Sequence, residues 1–268
     1  MFWNLKGKNL LGPLIELILE NDIDILALSE CKALDCQALI NSLRIKGKEW
    51  KRVEFCSEGD IKVLAKYSVQ IIPYMEEERH SIYKIGEKEN IQLLMVLHLS
   101  SALHLEENAR DRKAENMSRI LRKIEKEFYV SDQFKSIIVG DFNLQPYAES
   151  IIGAYGFNAT KSITKALQIT RNIDKQEKYF YFNPMWKLMG ENKLVQGTYY
   201  NSSDSQIKSI YWYVFDEVLI RPYFIDKFNW NYFNIVEKTN SYDFVPNSII
   251  DKERYSDHLP LKFEIKEE

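Results

Sequence analysis

Short apolar, β-prone runs that alternate with amphipathic helical segments constrain the fold of this chain more than any other feature. A short apolar run bounded by polar residues predicts a buried strand, and apolar residues at every third or fourth position predict a helix. Strands are predicted over residues 1–5, 24–29, 61–65, 69–74, 81–85, 91–99, 137–139, 211–220 and 261–265, and helices over 10–21, 32–43 and 109–128. This mixture predicts an α/β sandwich.

Polar residues that can bind a metal ion or transfer a proton stand beside six of these strands. They are Asn4, Glu30, His98, Asp141 with Asn143, Asp216, and Asp257 with His258. In α/β folds, ligands bind beyond strand ends, where loops from different strands converge. The pattern therefore predicts that these side chains share one site.

Each of these residues also has a simpler explanation. Asn4 can end an edge strand, Glu30 can be the first exposed residue after a buried run, and His98 can be a core histidine. Asp216 resists such an explanation, because a carboxylate inside an apolar strand must be paired to offset its desolvation. The segments 140–143 (Gly-Asp-Phe-Asn) and 256–260 (Ser-Asp-His-Leu-Pro) have the composition of turns. Their joint occurrence in this order favours a functional interpretation.

Composition limits the classes of function. The chain has 268 residues, 45% of them hydrophobic, and a net charge of −3, so the whole molecule does not attract nucleic acid electrostatically. Any polyanion must then be held by a local patch or by a metal ion. No apolar stretch is long enough for a membrane span, and the N-terminus lacks the apolar region of a signal peptide. Cys31, Cys36 and Cys56 form no metal-binding spacing, which predicts reduced thiols and a cytoplasmic protein. The oligomeric state leaves no mark in the sequence.

Three motifs carry a family resemblance: Trp3-Asn4, the segment 140–143 and Ser256-Asp257-His258. Together they resemble the deoxyribonuclease-like endonuclease/exonuclease/phosphatase superfamily, and the match extends over residues 1–268 as a single domain. The resemblance implies a four-layer α/β/β/α sandwich of two mixed β-sheets flanked by helices. It also implies an active site at one end of the sheets.

The resemblance further implies a role for each residue of the site. Asn4, Glu30 and Asp257 would hold Mg²⁺, for which Mn²⁺ can substitute; a hard cation prefers such oxygen ligands. Asp141 and Asn143 would orient water and phosphate, and His98 would donate to a phosphoryl oxygen. His258 would act as general acid or base, with Asp216 fixing its tautomer. The catalytic set is thus His98, Asp141, Asn143, Asp216 and His258, and candidate substrate contacts are Lys6, Arg112, Trp186 and Tyr199.

Two departures narrow the expected activity. Lys6 stands where abasic-site endonucleases carry an acidic residue, and His98 where they carry tyrosine, which argues against abasic-site specificity. The expected function is a Mg²⁺-dependent phosphodiesterase, foremost a nuclease that acts on DNA or RNA. The alternative is a phosphatase or phospholipase for inositol phosphates or phospholipid head groups. An inactive binding module is a third interpretation, which the retention of Glu30 and His258 disfavours.

Overall fold

Two large mixed β-sheets form the centre of the protein in the computed structural model, which describes residues 1–55, 59–87, 90–101, 107–131, 133–203 and 209–266. The strands are β1 (Phe2–Asn4), β2 (Ile25–Ser29), β3 (Trp50–Val53), β4 (Lys62–Lys66), β5 (Ile71–Glu77), β6 (His80–Ile85), β7 (Gln92–His98), β8 (Ser136–Asp141), β9 (Ala159–Thr160), β10 (Thr170–Ile173), β11 (Gln176–Tyr179), β12 (Tyr181–Phe182), β13 (Tyr199–Tyr200), β14 (Trp212–Tyr213), β15 (Asp216–Ile220), β16 (Asn234–Ile235) and β17 (Leu261–Lys262). The α-helices are α1 (Leu11–Glu20), α2 (Cys36–Ile45), α3 (Glu107–Phe128), α4 (Glu149–Ile152), α5 (Ile163–Ala166) and α6 (Met185–Gly190).

Within the described residues, one sheet has six strands in the order β16-β17-β1-β2-β4-β3, and the other has seven in the order β5-β6-β7-β8-β15-β12-β9. Side chains alternate across a strand, so one face of the seven-stranded sheet packs on α3 and the other packs on the six-stranded sheet. Helices α1 and α2 contact each other and share the larger hydrophobic cluster with both sheets. The expected four-layer α/β sandwich is confirmed.

The helices begin and end close to where apolar periodicity places them. Helix α2 is an exception, because it starts at Cys36 and not at residue 32. Asp35 caps it by accepting a hydrogen bond from the backbone N–H of Ala38 at 2.9 Å. An N-cap aspartate satisfies an otherwise unpaired N–H, which fixes the start of the helix. Cys31 and Cys36 are free thiols, whereas Cys56 lies outside the described residues.

The single strand predicted over residues 211–220 is wrong. Two strands occupy this segment: β14, which pairs with β13, and β15, which pairs with β8 and β12. The backbone N–H groups of Phe215 and Asp216 bond the hydroxyl of Thr198 at the break. Strand β3 was not predicted, and the loop-rich stretch expected between residues 179 and 200 contains β12, α6 and β13. Tertiary pairing defines all of these elements.

Strand direction and register bring the predicted site residues together. β7 and β8 are parallel and place His98 opposite Asp141, while the antiparallel β15 places Asp216 opposite Asp141. A Cβ at Gly140 would lie 2.1 Å from the carbonyl oxygen of Leu97, so glycine permits this close approach of β7 and β8. In the other sheet, the parallel pair β1 and β2 places Asn4 opposite Ser29, one residue before Glu30.

Candidate active site

Asn4 joins the two sheets at the centre of the site. Its side-chain Nδ2 donates to Oε1 of Glu30 and to Oδ2 of Asp141, each at 2.9 Å. Its Oδ1 accepts from the backbone N–H of Lys6 at 2.9 Å. Asn4 is fully buried, so these bonds fix the amide orientation. The structure thus shows Asn4 positioning two carboxylates, and its part in holding a metal ion stays a prediction.

Glu30 carries the most acidic carboxylate of the site. Nε2 of His98 lies 3.4 Å from Oε1 of Glu30. This interaction, together with the bond from Asn4, lowers the pKa of Glu30 to about 2 against the opposing effect of burial. The carboxylate is therefore ionised at neutral pH, as a ligand for a divalent cation must be.

Asp141, Asp216 and His258 form a buried cluster whose ligand atoms lie within 4.8 Å of one another. Nδ1 of His258 lies 2.8 Å from Oδ2 of Asp216, and its Nε2 lies 3.7 Å from Oδ2 of Asp141. The first contact fixes the ring so that Nε2 points toward Asp141, as a carboxylate orients an imidazole in hydrolytic triads. This geometry suits proton transfer at Nε2.

The two ring partners determine the charge of His258. Burial by itself lowers the pKa of His258, but the carboxylates of Asp216 and Asp141 outweigh it and raise the pKa to about 10. Burial raises the pKa of Asp141, and the attraction of His258 offsets only part of that effect. At neutral pH the ring is therefore an imidazolium. Groups with such opposed environments can divide acid and base roles between them.

Three residues that line the site have left-handed backbone conformations. The φ angles of Lys6, Glu30 and Asn143 are 50°, 45° and 52°. This region is costly for side chains other than glycine and is least so for asparagine. Backbone strain of this kind concentrates at functional sites. The backbone N–H of Gly7 bonds the carbonyl of Glu30 at 2.8 Å and holds this turn in place.

Asn143 is held beside Asp141 from two directions. Its backbone N–H donates to Oδ1 of Asp141 and its Nδ2 donates to the carbonyl of Leu99, both at 2.9 Å. Arg110 of α3 donates to the carbonyl of Asn143 at 2.7 Å. Of the nearby arginines considered from the sequence, Arg110 therefore contacts the site loop. Arg112 is exposed and donates to the carbonyl of Asn108 on its own helix, so it does not contact this loop.

Ser256 and Thr198 lock the His258 segment to both sheets. The hydroxyl of Ser256 donates to the carbonyl of Asn4 at 2.6 Å and accepts from the backbone N–H of His258 at 3.1 Å. The carbonyl of Thr198 accepts from the N–H of Leu259 at 2.8 Å. Sequence reasoning did not assign Thr198 this role. A detectable signal precedes it, because a Cβ at Gly197 would lie 2.4 Å from the carbonyl oxygen of Tyr213.

Lys6 and Tyr199 lie at the rim of the site. Nζ of Lys6 is 3.6 Å from Oδ2 of Asp257. The charges of Asp257 and Glu30 raise the pKa of Lys6 although burial opposes them. The ring of Tyr199 lies 5.2 Å from that of His258, centroid to centroid. Both side chains can contact a substrate at this site, whereas Trp186 lines a different cavity.

The donor set fits a hard divalent cation. Oxygen and nitrogen atoms of Glu30, His98 and Asp141 lie within 4.8 Å of one another. Oδ1 of Asp257 is buried and has no hydrogen-bond partner in the part of the chain that the structure describes. An unpaired buried carboxylate oxygen is costly unless a cation or proton satisfies it. Glu30, Asp141 and Asp257 are therefore the residues that could hold the ion.

The fold is that of the endonuclease/exonuclease/phosphatase superfamily. No protein-family model and no curated protein matches the sequence. Similar solved structures include an AP endonuclease from Archaeoglobus fulgidus, with 16% identity and a TM-score of 0.56 over 98% of this chain and 97% of that one. The 3′ phosphatase NExo from Neisseria, bound to a product DNA hairpin, has 12% identity and a TM-score of 0.58 over 99% and 98%. D. rerio TDP2, complexed with single strand DNA product, has 14% identity and a TM-score of 0.53 over 98% and 97%. At such identities the likeness shows the shared fold.

Among the described residues, no helix is long and apolar enough to cross a membrane.

Proposed function

We propose that this protein is a Mg²⁺-dependent phosphodiesterase, specifically a nuclease that hydrolyses DNA or RNA by in-line attack of water. The observation that carries the proposal is the buried cluster of Asp141, Asp216 and His258, joined through Asn4 to the Glu30–His98 pair. Burying so many ionisable groups together costs free energy that a purely structural role does not require. The shared fold supports the same assignment.

Glu30, with Asp141 and Asp257, would hold Mg²⁺ at the rim of this cluster. Magnesium prefers carboxylate oxygens and takes its remaining sites from water and phosphate, so a small protein ligand set suffices. When bound, the ion neutralises charge on the phosphoryl group and on the leaving oxygen. The low pKa of Glu30 keeps this ligand ionised through the neutral range.

The pKa directions assign the proton transfers. Asp141 has its pKa raised by burial, so it can accept a proton from the attacking water. His258, with its pKa raised to about 10, donates a proton or a charged hydrogen bond to the oxygen that leaves phosphorus. Asn143 shares the loop of Asp141 and can orient the water, and His98 can donate to a phosphoryl oxygen. The P–O bond to the leaving group breaks as the bond to water forms.

A nucleic acid is the substrate that the surroundings support best. Two of the similar structures are described as complexes with DNA products. Lys6 lies beside Asp257 with its ammonium about half exposed, where it can contact a phosphate next to the scissile bond. Because the net charge is −3, such local cations must provide the attraction for a polyanion.

A digestion assay tests the proposal. Wild-type protein is incubated with single- and double-stranded DNA and RNA in Mg²⁺, in Mn²⁺ and in EDTA, and His258→Ala provides the matched inactive variant. We expect cleavage that requires the metal and falls at least about 100-fold in the variant, since general acid–base catalysis contributes 10²–10⁴-fold. The same panel includes inositol phosphates and phospholipids. Turnover of those alone, without cleavage of any nucleic acid, would replace the nuclease assignment with the head-group alternative.

A further inference from the structure

A second cavity lies at the free edge of β9, the outermost strand of the seven-stranded sheet on that side. We call it the basic pocket. It holds about 480 Å³, and its lining includes Thr160, Lys161, Lys165, Gln168, Arg171 and Trp186. None of the residues of the candidate active site belongs to this lining. The pocket therefore needs a function of its own.

Two N–H donors in this lining lack an acceptor. Nε of Arg171 and Nε1 of Trp186 are both buried, and neither has a hydrogen-bond partner within the described ranges of the chain. A buried donor without an acceptor costs roughly 1–3 kcal/mol. Native structures rarely retain such groups unless a ligand, ion or water satisfies them. The pocket is thus short of hydrogen-bond acceptors.

The charge of the pocket indicates what the acceptor is. Its lining contains three cationic side chains, those of Lys161, Lys165 and Arg171, and no carboxylate among the described residues. Nζ of Lys161 lies 4.8 Å from the ring centre of Trp186, and the guanidinium of Arg171 lies 5.6 Å from that of Phe180. Cations that rest on aromatic rings instead of pairing with acids remain available to an anion. A phosphate group would satisfy the charge and both donors.

Strand directions place the basic pocket on the side of the sheet toward which the catalytic strands run. β8, β12 and β9 all run the same way, because β15 is antiparallel to β8 and β12, and β9 is parallel to β12. Three strand spacings separate β9 from β8, or about 14 Å. In register, Thr160 lies level with Ile137, four residues below Asp141 and about 13 Å along the strand. The backbone positions of Thr160 and Asp141 are then about 19 Å apart, or about six nucleotide rises of a B-form strand.

We propose that the basic pocket binds a backbone phosphate of the substrate strand, several nucleotides from the scissile bond. The inference rests on the proposed nuclease function and adds to it a strand-anchoring subsite. Lys161 and Lys165 contact the phosphate electrostatically, while Arg171 and Trp186 donate their unpaired N–H groups to its oxygens. Phosphate contacts of this kind position a strand without reading its bases, so the subsite favours long substrates without sequence preference.

Binding in EDTA separates this subsite from catalysis. Fluorescence anisotropy measures the Kd of the full chain for labelled single-stranded DNA of 4 and 16 nucleotides over a range of salt concentrations. Lys161→Ala/Lys165→Ala is compared with Lys46→Ala/Lys48→Ala, which removes two exposed lysines elsewhere on the surface. Arg171→Ala is compared in the same way with Arg44→Ala, also exposed.

We expect the pocket variants to raise the Kd of the 16-mer about fivefold to tenfold and to leave the control variants near wild type. The salt dependence should weaken in the double variant by roughly 1.4 in log–log slope, that is 0.7 for each phosphate–lysine interaction that the substitutions remove. The 4-mer, too short to join the active site to the pocket, should change less than twofold. Hydrolysis of a small phosphodiester in Mg²⁺ should also stay within about twofold of wild type.

An equal Kd of the 16-mer for the pocket and control variants would overturn the proposal. So would thermal stabilisation by inorganic phosphate that disappears in Arg171→Ala while the 16-mer still binds normally, since the pocket would then serve a free phosphate. The two proposals fail separately. A protein that binds the 16-mer through the pocket but cleaves no nucleic acid keeps the subsite and loses the nuclease, whereas cleavage with unchanged binding does the reverse.

Discussion

The pair formed by Asp216 and His258 yields the sharpest quantitative prediction. Replacing Asp216 with asparagine keeps the size of the side chain and removes its charge. The amide oxygen can still accept a hydrogen bond from Nδ1 of His258, so the 2.8 Å contact can persist. The substitution therefore changes mainly the electrostatic environment of the imidazole and the tautomer that it prefers.

The expected magnitude follows from the pKa of His258. The two carboxylates raise this pKa from 6.5 to about 10, and Asp216 contributes more than Asp141. Loss of Asp216 should lower the pKa of His258 by at least roughly two units, equivalent to about 3 kcal/mol of interaction with the imidazolium. If the transition state depends on the oriented imidazolium, kcat should fall about 100-fold, because each 1.36 kcal/mol corresponds to a factor of ten.

Steady-state cleavage of a fluorogenic oligonucleotide in saturating Mg²⁺ between pH 6 and 10.5 measures both effects. In the wild type, kcat should decline on the alkaline side near the pKa of His258, and in Asp216→Asn this decline should move to lower pH. Glu217→Gln is the matched control. Burial holds the pKa of Glu217 well above its ordinary value, so this carboxyl is neutral and Gln preserves its charge and its acceptor for Asn183. A variant Asp216→Asn with more than a third of wild-type kcat and an unmoved alkaline limb would refute the assigned role.

Three further outcomes are expected. Glu30→Gln should weaken Mg²⁺ binding at least about tenfold in isothermal titration, because an anionic ligand becomes neutral; unchanged affinity would place the ion elsewhere. Gly140→Ala should lower the free energy of unfolding by about 2 kcal/mol or more in urea, because its Cβ would meet the Leu97 carbonyl at 2.1 Å, whereas Gly190→Ala, with no atom within 4 Å, should change it little. Wild-type stability should also decline between pH 6.5 and about 10 as His258 loses its proton, by up to roughly 5 kcal/mol. That contribution is complete below pH 6.5, where the histidine of the unfolded chain is protonated too, and urea titrations that showed no decline would contradict the charged state of His258.

Local sequence accounts for much of the architecture and for the composition of the site. Apolar runs that stop at a polar residue mark strand ends, which is why Glu30, His98 and Asp141 could be assigned before the fold was known. Asn143 follows the same logic, since asparagine tolerates the left-handed backbone that its loop requires. The helices could be predicted because periodic burial of one face is itself a local property.

Other features depend on contacts between residues far apart in the sequence. The break before Asp216 exists because the hydroxyl of Thr198 accepts the N–H groups of Phe215 and Asp216, and no local pattern reports that partner. Register likewise decided that Arg110, and not Arg112, contacts the loop of Asn143. Such pairings are set by which surfaces meet once the sheets have formed.

The sequence by itself determined which residues could carry the chemistry, because residue type and the apolar run before each one are written locally. Only the tertiary structure decided how they are arranged: Asn4 as a bridge between carboxylates, His258 charged by two buried neighbours, and Trp186 at the basic pocket and not at the catalytic cluster. The physical reason is that distance, burial and charge coupling belong to pairs of residues in space. Those quantities come into existence only when the chain has folded.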